Sequence, residues 1–222
     1  MSVDEVPALA AASLILVRDA PDLQVLMGER PMSAKAFPGA LVFPGGKVEP
    51  QDSDPAWLER APPGHDANLL ALRIAAIRET FEETGLLLAS DASGRVADRD
   101  LAEGRMAVAA GSLKLLDLLD GHGLRPDVAA LAPFARWVTP LGQRYRFDTW
   151  FFIAVAAPSA CAPSPTDEFA SLDWIGVQQT TEAARLGRRS LLFPTRANLG
   201  LLAESPTADA AVAAARARAV VP

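Results

Sequence analysis

The sequence is poor in the side chains from which many active sites are built. It has one cysteine, Cys161, and two histidines, His65 and His122, among 222 residues. A disulfide within the chain and a cysteine metal site are therefore excluded, and a histidine-rich zinc site or a Ser-His-Asp triad is disfavoured. No apolar stretch reaches the roughly 18 residues of a membrane span, and Asp4 and Glu5 stand where a secretory signal carries positive charge. We expect no membrane association and a cytoplasmic location.

Basic residues are also in deficit. Lys and Arg number 21 against 27 Asp and Glu, which gives a net charge of −6 and a pI near 5.0. Proteins that coat nucleic acids normally carry a basic surface, so we expect no nucleic-acid partner. Half of the residues are hydrophobic, which is enough for a sizeable core.

A cluster of carboxylates is the most informative feature that is present. Glu79, Glu82 and Glu83 are spaced i, i+3 and i+4, so they share one face of a predicted helix. Two like charges about 4 Å apart repel by roughly 4 kcal/mol at an effective dielectric near 20. Arg78 can compensate Glu82 one turn away, whereas Glu79 and Glu83 have no basic neighbour at that spacing. A divalent cation that prefers oxygen ligands would relieve the repulsion, although an exposed acidic turn would give the same pattern.

Hydrophobic patterning predicts a mixture of strands and helices around this cluster. Short apolar runs between turn signals predict strands at 10–18, 24–30, 40–43, 86–88, 134–139, 146–156 and 172–175. Helical spacing and helix-forming residues predict helices at 69–84, 98–110, 112–119, 180–186, 194–203 and 208–219. Strands and helices do not alternate regularly, so the predicted fold class is α+β with a mixed sheet.

Glycines bracket the acidic helix in the sequence. Gly45 and Gly46 follow a predicted strand and predict a turn. Because glycine has no side chain, other groups can approach the backbone closely at this turn. Asp66 or Asn68 is placed to cap the start of the helix, and Gly85 is placed to end it in a left-handed conformation. A glycine backbone beside helix carboxylates is a suitable arrangement for a metal-bound diphosphate.

These segments together resemble the Nudix box, which the Nudix hydrolase family carries as G-x5-E-x7-R-E-U-x-E-E-x-G-U with U apolar. The run R-E-T-F-E-E-T-G-L at 78–86 matches, except that Thr80 stands at an apolar position. Asp52 stands at the first glutamate position, and 25 residues separate Asp52 from Arg78. The resemblance implies one domain over 1–222, a Nudix-type α/β/α sandwich, with a helical insert at about 91–127 and an Ala-rich C-terminal helix at about 206–220.

The sequence around the insertion resembles the branch of the family that contains the peroxisomal coenzyme A diphosphatase. This resemblance covers roughly 8–200 and includes R-W-V-T-P at 136–140 and R-F-D-T at 146–149. The segment before the box resembles the signature of coenzyme A-cleaving members, because Arg30, Lys35 and F-P-G-G at 43–46 keep its spacing. Gly28, Pro31 and Lys35 itself depart from the residue types of that signature.

The resemblance implies a metal-dependent hydrolase that cleaves a nucleoside diphosphate linked to another moiety. The favoured substrate is coenzyme A or a derivative, cleaved to 3′,5′-ADP and 4′-phosphopantetheine. Glu79, Glu82, Glu83 and a backbone carbonyl at Gly46 would bind Mg²⁺ or Mn²⁺, which activates a water for attack on phosphorus. Arg78 would orient the glutamates.

The remaining roles implied by the resemblance concern proton transfer and substrate binding. Either Glu83 or Glu168 would act as the general base, since members of the family differ in this position. Arg30, Lys35 and Gly45 would contact the substrate.

Two other functions are compatible with the same residues. One is hydrolysis of a different nucleotide diphosphate, such as ADP-ribose or NADH. The other is a non-catalytic nucleotide-binding regulator, which would be expected to have lost box glutamates. A small-molecule nucleotide diphosphate is the expected partner in each case, and the sequence leaves a homodimer open.

Overall fold

Seven strands form one mixed sheet in the computed structural model, which describes residues 6–34, 37–61, 66–94, 101–157 and 168–220. Its strands are β1 (Leu9–Asp19), β2 (Leu23–Glu29), β3 (Leu41–Val42), β4 (Gly45–Lys47), β7 (Ala132–Val138), β8 (Phe147–Val155) and β9 (Ser171–Gly176). Two short strands, β5 (Ala89–Asp91) and β6 (Leu124–Pro126), pair separately. β1 is central, because it pairs in parallel with β8 and antiparallel with both β2 and β4.

Helices cover both faces of this sheet. They are α1 (Ala56–Arg60), α2 (Leu70–Thr84), α3 (Ala102–Ala109), α4 (Leu115–Gly121), α5 (Val177–Arg185), α6 (Phe193–Leu202) and α7 (Ala208–Ala217). Side chains alternate along a strand, so Leu14 and Leu16 of β1 join the core that contains α2 and α4, while Ile15 and Val17 join the core that contains α6 and α7. The predicted α+β class with a mixed sheet between helical layers is confirmed.

α2 carries the acidic cluster and is largely enclosed. Ile74, Ile77 and Phe81 are buried in the core against the sheet. Thr80 is also fully buried, and its hydroxyl donates to the carbonyl oxygen of Ala76 at 2.7 Å. This bond explains how a hydroxyl is tolerated at a position where the family has an apolar side chain, because a buried hydroxyl without a partner would be costly.

The sequence predicted the C-terminal end of α2 correctly but not the residue that caps its start. Gly85 ends the helix with a φ of 78°, as predicted. At the other end, a 3₁₀ turn at Ala67–Leu69 precedes the helix, and Leu69 occupies the cap position without a side-chain cap. Asp66 instead accepts a hydrogen bond from the amide of Asn68 at 3.0 Å, so neither predicted residue caps α2 itself.

Three local predictions are corrected by the structure. Gly45–Lys47 is strand β4, paired with β1, rather than a free turn. The segment 53–66, predicted to be irregular, contains the short helix α1. The predicted strand at 86–88 begins only at Ala89, and it pairs with β6 inside the predicted helical insert.

The helices of the insert and of the C-terminal segment lie close to their predicted positions. α3 and α4 occupy the predicted insert, and α7 occupies the predicted Ala-rich helix. Within the described ranges, no helix is both long enough and apolar enough to cross a bilayer. The assignment of 1–222 to one domain stays a prediction.

Gly85 and Gly111 provide a matched test of the end of α2. Both have positive φ, at 78° and 68°, so alanine at either position costs about 1 kcal/mol of backbone strain. A Cβ at Gly85 would also lie 3.1 Å from Nη1 of Arg105, whereas a Cβ at Gly111 would meet nothing within 4 Å. We therefore expect Gly85→Ala to lower the free energy of unfolding more than Gly111→Ala, as measured by urea denaturation. Equal losses would contradict a role for Arg105 in this contact.

Candidate active site

The glycines of β4 lie directly against the carboxylates of α2. A Cβ built at Gly46 would come within 2.5 Å of the Glu79 carboxylate, and one at Gly45 within 2.4 Å of the Ala12 carbonyl oxygen. The amide of Gly45 donates to Oε2 of Glu83 at 2.8 Å. Gly45 thus permits the close pairing of β4 with β1, and Gly46 leaves room for the Glu79 carboxylate beside the strand backbone.

Arg78 organises this arrangement from the interior. It is 1% exposed, and its guanidinium makes two hydrogen bonds to Asp52, both 2.9 Å long. Further bonds reach the Lys47 carbonyl oxygen at 2.9 Å, Glu79 at 3.0 Å and Glu82 at 3.2 Å. These contacts engage all five guanidinium N–H groups, so no donor remains for a substrate in this arrangement.

Asp52 reaches Arg78 although 25 residues separate them in the sequence. It lies in a 3₁₀ turn at Pro50–Ser53 and is 1% exposed. The next helix, α1, fixes this turn, because the buried indole of Trp57 donates to the carbonyl oxygen of Gln51 at 2.9 Å. The inserted residues therefore leave the buried ion pair intact.

Burial and mutual repulsion shift the acidity of the clustered carboxylates. Burial raises the pKa of Glu79 to about 7, although Arg78 acts in the opposite direction. Burial raises the pKa of Glu83 well above its ordinary value, with further upward contributions from Glu79 and Glu168. Burial also raises the pKa of Glu82, again opposed by Arg78. The site therefore holds carboxylates that bind protons more readily than exposed ones, because negative charge is unfavourable there.

Glu168 approaches the cluster from the loop before β9. A hydrogen bond with its carboxyl group and its charge both raise the pKa of Glu83, and its charge also raises the pKa of Glu79. The adjacent Phe169 is buried, and its ring occupies the space where a Cβ at Gly28 would fall, 2.4 Å from the nearest ring carbon. Gly28 thus leaves room for the anchor that holds the Glu168 loop.

The structure describes two of the three predicted substrate-binding residues, Arg30 and Gly45. Arg30 is half-buried at the end of β2, and its backbone bonds with Ala40 and Gly39. Lys35 lies outside the described residues. The amide of Gly45 is occupied by Glu83, so a substrate contact by this N–H requires Glu83 to turn away.

Three contributors to the site were missed in the sequence. Arg105 of α3 donates from Nε to the Glu82 carbonyl oxygen at 2.9 Å and so supports the last turn of α2. Trp57 and Phe169 position Asp52 and Glu168, as described above. Trp57 and Phe169 are large apolar residues close in sequence to predicted site residues, and this proximity could have identified them. Nothing in the sequence around Arg105 distinguishes it from other arginines.

The donor set fits a hard divalent cation. Glu79, Glu82 and Glu83 supply carboxylate oxygens beside the backbone of Gly46, and oxygen ligands are those that Mg²⁺ and Mn²⁺ prefer. Among the described residues, no three His, Cys, Asp or Glu side chains already converge in a metal-binding geometry. Glu79 and Glu82 lie against Arg78 instead, so cation binding requires these side chains to rearrange.

Comparison with known proteins agrees with this geometry. The family model described as the NUDT19 Nudix domain matches residues 66–192. The chain belongs to the Nudix family. The crystal structure of a Nudix hydrolase from Alicyclobacillus acidocaldarius superimposes with a TM-score of 0.85 at 30% identity, over 94% of this chain and 97% of that one. The predicted family and its α+β sandwich are confirmed.

Curated relatives include proteins of the NUDT19 branch of the family. This Nudix domain is 30% identical over 203 residues to the acyl-coenzyme A diphosphatase NUDT19 of Gallus gallus, covering 64% of this chain and 54% of the relative. It is 28% identical over 185 residues to putative nudix hydrolase 7 of Caenorhabditis elegans, covering 83% and 57%. The chain thus spans about half the length of the curated relatives it matches.

Removal of the Asp52 charge tests the buried ion pair. In Asp52→Asn, the guanidinium of Arg78 stays buried without its main counter-charge, so the free energy of unfolding should fall by about 3 kcal/mol or more. Asp148→Asn is the matched control, since Asp148 makes a similar two-bond contact with Arg136 but is 28% exposed, and its loss should cost at most about 1 kcal/mol. Urea denaturation measures both, and equal effects would contradict the assignment.

The raised pKa of Glu79 predicts the pH dependence of stability in the metal-free protein. Between the ordinary value of 4.5 and the folded value of about 7, the folded state keeps a proton that the unfolded chain has released. Stability should therefore fall as the pH rises through this window. Denaturation in EDTA at pH 5, 6, 7 and 8 measures the slope, which Glu79→Gln should flatten. An unchanged slope in that variant would contradict the assignment.

Proposed function

We propose that this Nudix domain hydrolyses the diphosphate bond of a nucleoside diphosphate linked to another moiety, with coenzyme A or a derivative as substrate and Mg²⁺ or Mn²⁺ as cofactor. The observation that carries the proposal is the apposition of Glu79 and Glu83 to the Gly45–Gly46 backbone, held in place by Arg78. Coenzyme A is favoured because a 30% identical relative is named an acyl-coenzyme A diphosphatase, and because Arg30 and Lys35 keep the spacing of that signature.

The carboxylates would hold the cation while fixed groups orient them. When bound, the cation offsets phosphate charge and lowers the pKa of a water. Arg78 directs Glu79 and Glu82, and the Gly45 amide directs Glu83. Cation binding first requires Glu79 and Glu82 to rearrange. Once they have done so, the rigid backbone and the buried Arg78 limit further reorganisation as charge develops on the phosphate.

Proton transfer is assigned to the Glu83–Glu168 pair. Water attacks one phosphorus, the bond from that phosphorus to the bridging oxygen breaks, and the two products each carry a terminal phosphate. The proton that the water loses passes to a carboxylate, and the hydrogen bond between Glu83 and Glu168 supports either residue as its acceptor. Burial raises the pKa of Glu83 well above its ordinary value, which strengthens this carboxylate as a proton acceptor.

Product analysis with substrates of different chemistry tests the activity. Coenzyme A, an acyl-coenzyme A, ADP-ribose and NADH are each incubated with the protein and Mg²⁺ and separated by chromatography. We expect 3′,5′-ADP and 4′-phosphopantetheine from coenzyme A, and no turnover in EDTA. Faster cleavage of ADP-ribose or NADH would contradict the substrate assignment, and binding of all four without turnover would indicate a regulator.

Glu83→Gln tests the catalytic assignment. The variant keeps the size of the side chain but loses a metal ligand and a candidate base, so kcat should fall by about 10²-fold or more. The matched control is Glu204→Gln, because Glu204 is exposed and lies after α6, on the opposite side of the sheet. Far-ultraviolet circular dichroism confirms that both variants fold. Wild-type turnover in Glu83→Gln would refute the metal and base assignments together.

Lys35→Ala tests recognition of coenzyme A. If Lys35 meets the 3′-phosphate, its removal should raise the KM for coenzyme A by about tenfold while leaving the KM for 3′-dephospho-coenzyme A almost unchanged. Equal losses for the two substrates would show that Lys35 does not recognise this phosphate. Arg30→Ala, measured in parallel, shows whether the two basic residues act on the same group.

A further inference from the structure

A second charged region lies apart from the carboxylates. A cavity of about 480 Å³ opens between the start of α2, the start of β7 and the end of α7. Three arginines line it, Arg73, Arg216 and Arg218, together with the indole of Trp150. Asp and Glu are absent from its described lining. This cavity, which we call the arginine cavity, is therefore locally cationic in a chain whose net charge is −6.

Arg73 is the least satisfied of the three arginines. Its Nε is buried and has no hydrogen-bond partner among the described residues. Burial lowers the pKa of its guanidinium, and the nearby charge of Arg216 lowers it further, whereas Asp66 acts in the opposite direction. A buried N–H group without a partner is costly, so this arrangement leaves one donor of the Arg73 guanidinium unused behind the lining of the cavity.

The other two arginines are fixed by backbone oxygens rather than by acids. Nη2 of Arg216 donates to the Ala129 carbonyl oxygen at 3.0 Å, and Nη2 of Arg218 donates to the Phe134 carbonyl oxygen at 2.8 Å. The Arg218 guanidinium also lies 4.7 Å from the centre of the Phe134 ring. These contacts hold both guanidinium groups without neutralising them, so their positive charge remains at the lining of the cavity.

We propose that the arginine cavity binds a phosphate ester whose organic part is apolar or aromatic. Guanidinium groups match phosphate oxygens in geometry and charge, and three of them surround one space of the size typical of small-molecule sites. Trp150, Leu131 and Pro133 supply apolar and aromatic surface for the organic part. A bound phosphate would offset the repulsion among the three cations, and it would reach Nε of Arg73 only after that side chain turns toward the cavity.

The arginine cavity is separate from the diphosphate site. Arg73 and Glu79 are six residues apart on α2, which is about 9 Å along the helix axis. No residue in the described lining is one of the candidate catalytic, metal or substrate residues. The proposal therefore does not rest on the hydrolase activity proposed above.

Binding of phenyl phosphate to the full chain in EDTA tests the proposal, since removal of divalent cations leaves the carboxylate site repulsive to anions. Isothermal titration calorimetry should give saturable binding, and ¹H–¹⁵N spectra should show a shift of the Arg73 Nε–H signal. Arg73→Met and Arg216→Met should each weaken binding by about tenfold or more. The matched control is Arg188→Met, since Arg188 is exposed and lies outside the cavity, and it should leave the affinity unchanged.

Several outcomes would overturn the proposal. These are the absence of saturable binding, equal weakening in Arg188→Met, and binding that requires Mg²⁺ and is lost in Glu83→Gln. Benzoate serves as the carboxylate counterpart of the probe, and binding as tight as that of phenyl phosphate would refute the preference for phosphate. If Arg73→Met does not fold, the affinity of Arg216→Met for phenyl phosphate tests the proposal. Arg216 is exposed, so its replacement should leave the fold intact.

Discussion

The buried ion pair between Arg78 and Asp52 is the interaction on which the rest of the site depends. It connects α2 with the turn at Pro50–Ser53, and the same guanidinium also holds the end of β4 through the Lys47 carbonyl oxygen. Desolvation of a charged pair is expensive, and this pair offsets that cost with a complete set of hydrogen bonds. Its function is therefore less to stabilise the fold than to fix three separate segments around one point.

The carboxylates beside that point remain in an unfavourable electrostatic environment. Arg78 directs Glu79 and Glu82 but cannot neutralise both of them and Asp52. Within the described residues, Glu83 is contacted by the Gly45 amide and the carboxyl group of Glu168. Burial, with repulsion from neighbouring carboxylates, raises the pKa values of Glu79, Glu82 and Glu83. A divalent cation would replace these protons with a positive charge that the same oxygens can share. The repulsion among the carboxylates is therefore itself a physical reason for the site to bind a cation.

Much of this site follows from local sequence order. Helical spacing predicted α2, and the glycine after it predicted the left-handed cap, because both signals lie within a few residues. The contact of Asp52 with Arg78 crosses an insertion and was left open by spacing alone. β4 was predicted as a turn because glycines carry no strand signal, although their missing side chains are what lets β4 pair with β1 beside Glu79. α1 spans only five residues, too few for helical periodicity to show.

The two charged regions of α2 differ in how they are compensated. The acidic residues near its end have an internal cation, Arg78. Among the described residues, Arg73 near its start has the Phe152 ring at 5.8 Å, the more distant charge of Asp66 and a neighbour of the same sign, Arg216. An acidic protein repels anions at long range, so any phosphate that binds must be attracted by a local group of cations. The arginine cavity contains such a group, and the planar geometry of its guanidinium groups suits phosphate oxygens.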